Sequence, residues 1–367
     1  MADSTYQYEY TFPAIRGVQA SREYYVSMCP LRLIPKIFVF NEEELLPELR
    51  AQRLLNKARV PEIAQYLTNN RDSYVFSAIT ASIDADVRFV PVEAKGEAAR
   101  IGILQIPMSA HFIINDGQHR RAAIEMALRD HPELGNETIA VVFFLDVGLT
   151  RCQQMFADLN RYSVRPSRSI GVLYDHRDEQ AEVARKVVAS LPFFRELVEM
   201  ERTTLSARSR RLFTFSALYG ANVALLSGLD FEPEELIQLA AEFWSIVSRC
   251  LPEWEMVRQR RQTAGEVRED FIHSHGVVLQ AIGRAGNALI KQYPKAWQKK
   301  LAELGRINWS RTNSKLWEGR AMIGGRLSKA THNVILTGNA IKSHLKLDLN
   351  PEEQKLETSM RRTKRDK

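Results

Sequence analysis

The stretch FIINDGQHRRAAIEMAL, residues 112–128, decides how the first half of this chain is read. The segment HFIIN (111–115) suits a strand. RRAAIEMALRD then puts Ala122, Ala123, Met126 and Ala127 on one helical face. Between them lie Asp116, Gly117, Gln118, His119, Arg120 and Arg121. Gly117 permits a sharp turn with backbone angles that other residues avoid. The turn therefore falls where a strand runs into a helix N-terminus, with unpaired N–H groups and the positive end of the helix dipole. Such an end is ready to hold an anion. Gln118, His119, Arg120 and Arg121 add side-chain donors, and arginine suits bidentate phosphate contact. A plainer reading has Asp116 as an N-cap and His119 as a packed, hydrogen-bonded histidine. The turn is neither a Walker A loop nor a GxGxxG fingerprint, so both readings stand on the residues alone.

Working outward, RLIPKIFVF (32–40) reads as extended, and 42–70 as two helices separated near Val60-Pro61, with Pro61 in the first turn of the second. YVFSAITASI (74–83), VRFVPV (87–92) and ARIGILQIP (99–107) read as strands. TIAVVFFLDV (138–147) is the continuous apolar run of a buried strand. Helical periodicity dominates after about residue 150: TRCQQMFADLN, a pair over 178–200 broken near Pro192, then 211–228, 232–251, 275–293 and 331–349. The expected organisation is an α/β domain over 1–170, a mainly helical domain over 171–349 and a charged, fraying tail over 350–367.

Composition narrows the function classes. A 45% apolar and 26% charged chain of 367 residues can bury a sizeable core. It contains no run of about 18 apolar residues and starts without a secretory pattern, so the expectation is a cytoplasmic protein with no membrane span. Three dispersed cysteines argue against a disulfide framework or a cysteine-rich zinc site. No metal is expected, although His273 and His275 alternate near Asp270. Cys29 precedes Arg32 and Lys36, whose charge would favour a reactive thiol, against the plainer reading of a buried, inert cysteine; Cys152 and Cys250 sit in helical apolar patterns and read as structural.

The net charge is +7, and its distribution points to an anionic partner. RTTLSARSRR (202–211) carries Arg202, Arg208, Arg210 and Arg211 with no acid. RQRR (258–261) adds Arg258, Arg260 and Arg261, and the end of the chain is basic again. Ser209 is placed to cap a helix starting near Arg210, which would gather arginines at its N-terminus for DNA phosphates. Solvated basic loops are the plain alternative.

The residues DGQHR, within INDGQHRRAAIEMAL and followed by the AVVFFLD strand, resemble the signature of the DGQHR-domain family. The segments QRLLNKARVPEIAQYLTNNRDSYVFSAITASI and MFADLNRYSVRPSRSI resemble that family's flanking parts, and the full layout looks like the DndB family within it. The resemblance covers roughly residues 25–345. It implies a DNA-binding regulator, typically a repressor, that binds double-stranded DNA at the promoter of its own DNA phosphorothioation operon. A separate reading is a non-catalytic subunit that docks on other modification proteins. A two-fold operator would favour a homodimer.

It also implies kinship with the nucleotide-binding core of ParB-type partition proteins and sulfiredoxin. Gly117 would then approach a phosphate closely, and His119 and Arg120 would contact it. Separately from that kinship, the chain returns past the turn after one strand, which would bring Asn160 and Arg161 to the same cleft. No cofactor is required by the regulator; the alternative is an NTP-binding or NTP-hydrolysing enzyme or nucleotide switch that takes ATP or CTP at this turn, with slow hydrolysis. Gln118 stands where sulfiredoxin has a cysteine, so a thiol reaction there is not supported.

Overall fold

The computed structural model describes residues 8–38, 58–145, 154–155, 157–159 and 166–365. Two compact units divide the chain, Met1–Val164 and Arg165–Lys367. The first is built on seven strands: β1 (Glu9–Gln19), β2 (Arg22–Pro30), β3 (Ile79–Asp84), β4 (Arg88–Pro91), β5 (Ile101–Pro107), β6 (His111–Asp116) and β7 (Thr138–Leu145). They pair in the order β4-β5-β1-β2-β7-β3-β6. Only β3 and β7 run parallel; every other neighbouring pair is antiparallel.

The β1–β2 hairpin turns at Ala20 and Ser21, both with positive φ, 51° and 61°. Consecutive positive φ values are the hairpin geometry that Asn-Gly usually signals. Ala-Ser carries no such signal, and sequence reading passes over both strands.

Alternate residues of the strands point into one core. Tyr10 on β1 meets Phe112 on β6 with ring centroids 6.1 Å apart, although β2, β7 and β3 lie between them in the sheet. In a flat sheet those two strands would be roughly 19 Å apart. The sheet therefore curls, and Phe12, Phe38, Phe112 and Phe143 fill its concave side. Helices α2 (Arg59–Asn69) and α3 (Gln118–Asp130) pack together through Val60, Ala64 and Ala123, while Ile124 and Ala127 of α3 enter the main core.

Two local expectations fail here. Residues 32–38 are not extended: a 3-10 turn at Leu31–Leu33 runs into the short helix α1 (Ile34–Ile37), with Pro35 in its first turn. Pro35 has no N–H to offer a strand ladder, but a helix start needs none. Strand β3 begins at Ile79 rather than residue 74, since Tyr74 and Phe76 pack on each other ahead of the ladder. The first helix expected over 42–57, most of TRCQQMFADLN, and Cys152, Asn160 and Arg161 lie outside the described residues.

The second unit is helical: α4 (Arg168–Tyr174), α5 (Glu179–Ser190), α6 (Pro192–Leu197), α7 (Phe215–Leu226), α8 (Pro233–Cys250), α9 (Pro252–Arg258), α10 (Ala264–Asp270), α11 (Gly276–Gln292), α12 (Trp297–Leu301), α13 (Ser314–Trp317), α14 (Thr331–His344) and α15 (Pro351–Arg365). Helix α11 is buried on most of its circumference. A Cβ at Gly283 would stand 2.3 Å from the Ala221 carbonyl oxygen, so α7 and α11 touch backbone to backbone only because that side chain is missing. Buried aromatic donors are satisfied: Trp244 Nε1 donates to Asn222 Oδ1 (2.9 Å) and Trp254 Nε1 to His273 Nδ1 (3.0 Å).

The segment expected to fray is α15, and buried ion pairs hold it down. Lys342 donates to both carboxylate oxygens of Glu353 (2.7 and 2.9 Å), and Arg320 grips Glu357 through both terminal nitrogens. Glu353 also accepts from the Asn350 backbone N–H (3.1 Å), while Asn350 Oδ1 accepts from Glu353 N (2.9 Å). That reciprocal pair is a capping box. Its signature, Asn-Pro-Glu-Glu at 350–353, is legible in the sequence, but the dense charge of residues 355–367 masks it.

Candidate functional site

The turn of the opening stretch sits where expected, between β6 and α3. Gly117 is the N-cap, with φ +110°. A Cβ there would also meet Ile79 Cγ1 at 3.0 Å, so glycine is demanded twice. Asp116 does not cap the helix, and α3 has no side-chain cap at all. The Asp116 carboxylate instead accepts from Arg120 (2.7 Å), and the same Arg120 nitrogen donates to the Ala78 carbonyl (3.0 Å) just ahead of β3. Arg120 Nε is buried with no hydrogen-bond partner.

Arg121 turns away from the helix end. Its Nε donates to the Phe38 carbonyl (2.8 Å), one terminal nitrogen to the Pro35 carbonyl (3.2 Å), and the other pairs with Glu125. Gln118 is buried and folds back on the Ile114 carbonyl (3.2 Å). His119 is partly buried; that burial, with the charges of Arg59 and Arg120, holds its imidazole below the usual histidine range. Of the side chains grouped as phosphate donors, Gln118 and Arg121 are thus committed to the fold, as is one end of Arg120.

Cys29 is fully buried on β2, and burial pushes its thiol up to about 12. Cys29 is thus the buried, inert cysteine of the plainer reading and not the reactive thiol: Arg32 and Lys36 are near in sequence but do not offset the loss of water. His273 and His275 are parted. His273 accepts from Trp254 at Nδ1, which leaves its proton on Nε2, 3.3 Å from Glu253. His275 donates from Nε2 to the Arg268 carbonyl (2.9 Å). Both are kept neutral by burial. Among the described residues, no three His, Cys, Asp or Glu side chains gather as metal ligands.

Residues 202–211 do not start a helix. Ser209 Oγ accepts from Arg211 N (3.2 Å) in a local turn, Phe213–Thr214 (β9) pairs in parallel with Val198–Glu199 (β8), and α7 starts only at Phe215. The short ladder wins because Leu212 and Phe213 are needed in the core. Arg268 pins the loop from within, donating to the carbonyls of Ser206 (2.8 Å), Ala207 (3.3 Å) and Arg211. Arg202, Arg208 and Arg210 stay exposed.

Glu196 joins the two basic stretches. Its carbonyl accepts from Arg211, and its carboxylate lies 3.6 Å from Arg258. Arg258 also pairs with Glu255 (2.6 Å), so its charge is shared with two carboxylates, whereas Arg260 and Arg261 are exposed. Charge alone picks out both stretches in the sequence. That they meet depends on a contact between positions 196, 211 and 258 that no local pattern carries.

Among the described residues, no helix is long and apolar enough to cross a membrane. No curated protein and no solved structure matches the chain. A family model described as DNA-sulfur modification-associated does match, over residues 12–348. With nearly its whole length covered, the chain belongs to the DndB family and to the setting of DNA sulfur modification.

Proposed function

We propose that this protein is a cytoplasmic DNA-binding transcriptional regulator that represses a DNA sulfur-modification operon by binding double-stranded DNA at its promoter. The observation that carries this reading is the basic surface around Glu196. Arg202, Arg208, Arg210, Arg260 and Arg261 are exposed on two stretches that converge there. Cations so placed contact phosphates, which gives affinity and salt dependence rather than base readout. A mobility-shift assay with the operon's own promoter and a scrambled duplex tests it. The promoter should bind more tightly. Arg208→Ala combined with Arg210→Ala should weaken both duplexes alike and lower the salt slope by about 2. Equal wild-type affinity for the two duplexes would remove promoter recognition.

A second reading places ATP or CTP at the turn before α3, as the likeness to ParB-type proteins and sulfiredoxin implies. It is favoured by the uncapped helix start and the unpartnered Arg120 Nε. Calorimetric titration of each nucleotide into wild type, His119→Ala and Arg120→Ala, with and without DNA, separates it from the first. Silence in the wild type ends it.

A further inference from the structure

The helical unit encloses a cavity of about 500 Å³ that the regulatory reading does not use. Three cations line it: Arg168, Arg268 and Lys329. Among the described residues that line it, none is an aspartate or glutamate. Arg268 donates only to backbone carbonyls, so its charge is not cancelled by a carboxylate. Arg168 and Lys329 are exposed at the rim.

Two long helices begin at the same cavity. Ser216 and Ala217 belong to the first turn of α7, and Gly276 and Val277 to the first turn of α11; all four line the wall. Neither N-cap residue, Thr214 or His275, caps its helix with its side chain; at α7 the Ser216 N–H donates to Ser169 Oγ (3.3 Å), which leaves the start of α11 the freer of the two. A Cβ at Gly276 would stand 3.3 Å from Ala217 Cβ, so the two positive helix ends are held side by side. An independent sign of a missing ligand is Ser274. It lines the cavity, is only 4% exposed, and its hydroxyl has no hydrogen-bond partner. A buried hydroxyl without a partner is costly unless something supplies one.

We propose that this cavity binds a phosphate monoester of mononucleotide size, with the phosphate between Arg168, Lys329 and the starts of α7 and α11, and the Ser274 hydroxyl as a further donor. The volume fits such a ligand. The hydroxyls of Thr203, Thr204 and Thr214 on the wall suit the sugar side of the molecule better than an apolar guest. This assignment is independent of whether the arginine loop binds DNA.

Titration calorimetry on the full chain tests it, with inorganic phosphate, ribose 5-phosphate and adenosine 5′-monophosphate as probes. The monoesters should bind more tightly than inorganic phosphate. Lys329→Ala and Arg168→Ala should each weaken them about tenfold, Ser274→Ala severalfold, and Arg120→Ala not at all. Because Arg168 and Lys329 are exposed, their variants should melt like the wild type, which a thermal scan checks. Absence of binding by all three probes overturns the proposal, as does full affinity in both cation variants. Loss on Arg120→Ala alone would move the anion to the turn before α3. Displacement of bound monophosphate by a short duplex whose own affinity falls in Lys329→Ala would give the cavity to a DNA phosphate instead.

Discussion

Two places in this molecule set basic side chains beside the start of a helix, and they use them in opposite ways. At the turn before α3, Arg121 reaches back to the carbonyls of Pro35 and Phe38, and Arg120 ties Asp116 to Ala78. In the helical unit, Arg168 and Lys329 stand at the rim of a cavity that contains two helix starts and no carboxylate among its described lining. The first arrangement carries the recognisable motif and looks inward; the second carries no motif and faces open space. Cations beside a helix dipole therefore do not by themselves make an anion site. What decides is whether carbonyls and carboxylates of the protein have already taken the donors.

The largest test of this contrast is Arg121→Ala. It would leave two carbonyls of the 35–38 segment without their charged donor and should destabilise the sheet unit by about 3 kcal/mol. Urea unfolding reads this, and a loss under about 1 kcal/mol would show Arg121 to be free for a ligand.

Next comes a pH effect at the cavity. Burial, with the charges of Arg311, Arg268 and His273 nearby, takes the His275 imidazole down to about 4 from an ordinary 6.5. Between pH 7 and 5 the unfolded chain accepts a proton that the folded chain refuses. Stability is therefore lost as pH falls, by about 2 kcal/mol from this residue. His119 and His273 act in the same direction. Thermal melts at the two pH values should show the loss, and His275→Gln should reduce it.

The smallest effect is expected at the exposed loop. Arg208→Ala or Arg210→Ala should change stability by no more than about 0.5 kcal/mol while DNA affinity falls. A larger loss of stability would place these arginines with Arg121 rather than with Lys329.

The strand–turn–helix at 111–130 is legible in the sequence because three local rules agree there: a short apolar run with two isoleucines, a glycine needing positive φ, and helical periodicity. The longer helices α5, α7, α8, α11 and α14 are legible from periodicity, down to the break at Pro192, whereas the short α9, α10, α12 and α13 are too brief to show it. The β1–β2 hairpin is not, since Ala20 and Ser21 adopt their turn for the sake of the strands they join. Residues 32–38 mislead because apolar residues are needed equally by a strand and by a short buried helix. The inward grip of Arg121 and the meeting of 202–211 with 258–261 rest on long-range contacts, to which residue type and spacing are blind.

The docking of α15 bears on when the helical unit can be finished during synthesis. Lys342 and Arg320 lie in the core side of α14 and its approach, and their carboxylate partners come later, at Glu353 and Glu357. Until residues 353 and 357 have left the ribosome, burying Lys342 and Arg320 means burying unmatched charges, a penalty of several kcal/mol each. Final closure of the unit therefore waits on those last acidic side chains. A chain cut at residue 350 would retain nearly all of its apolar core yet lack the two groups that let the core close around its cations.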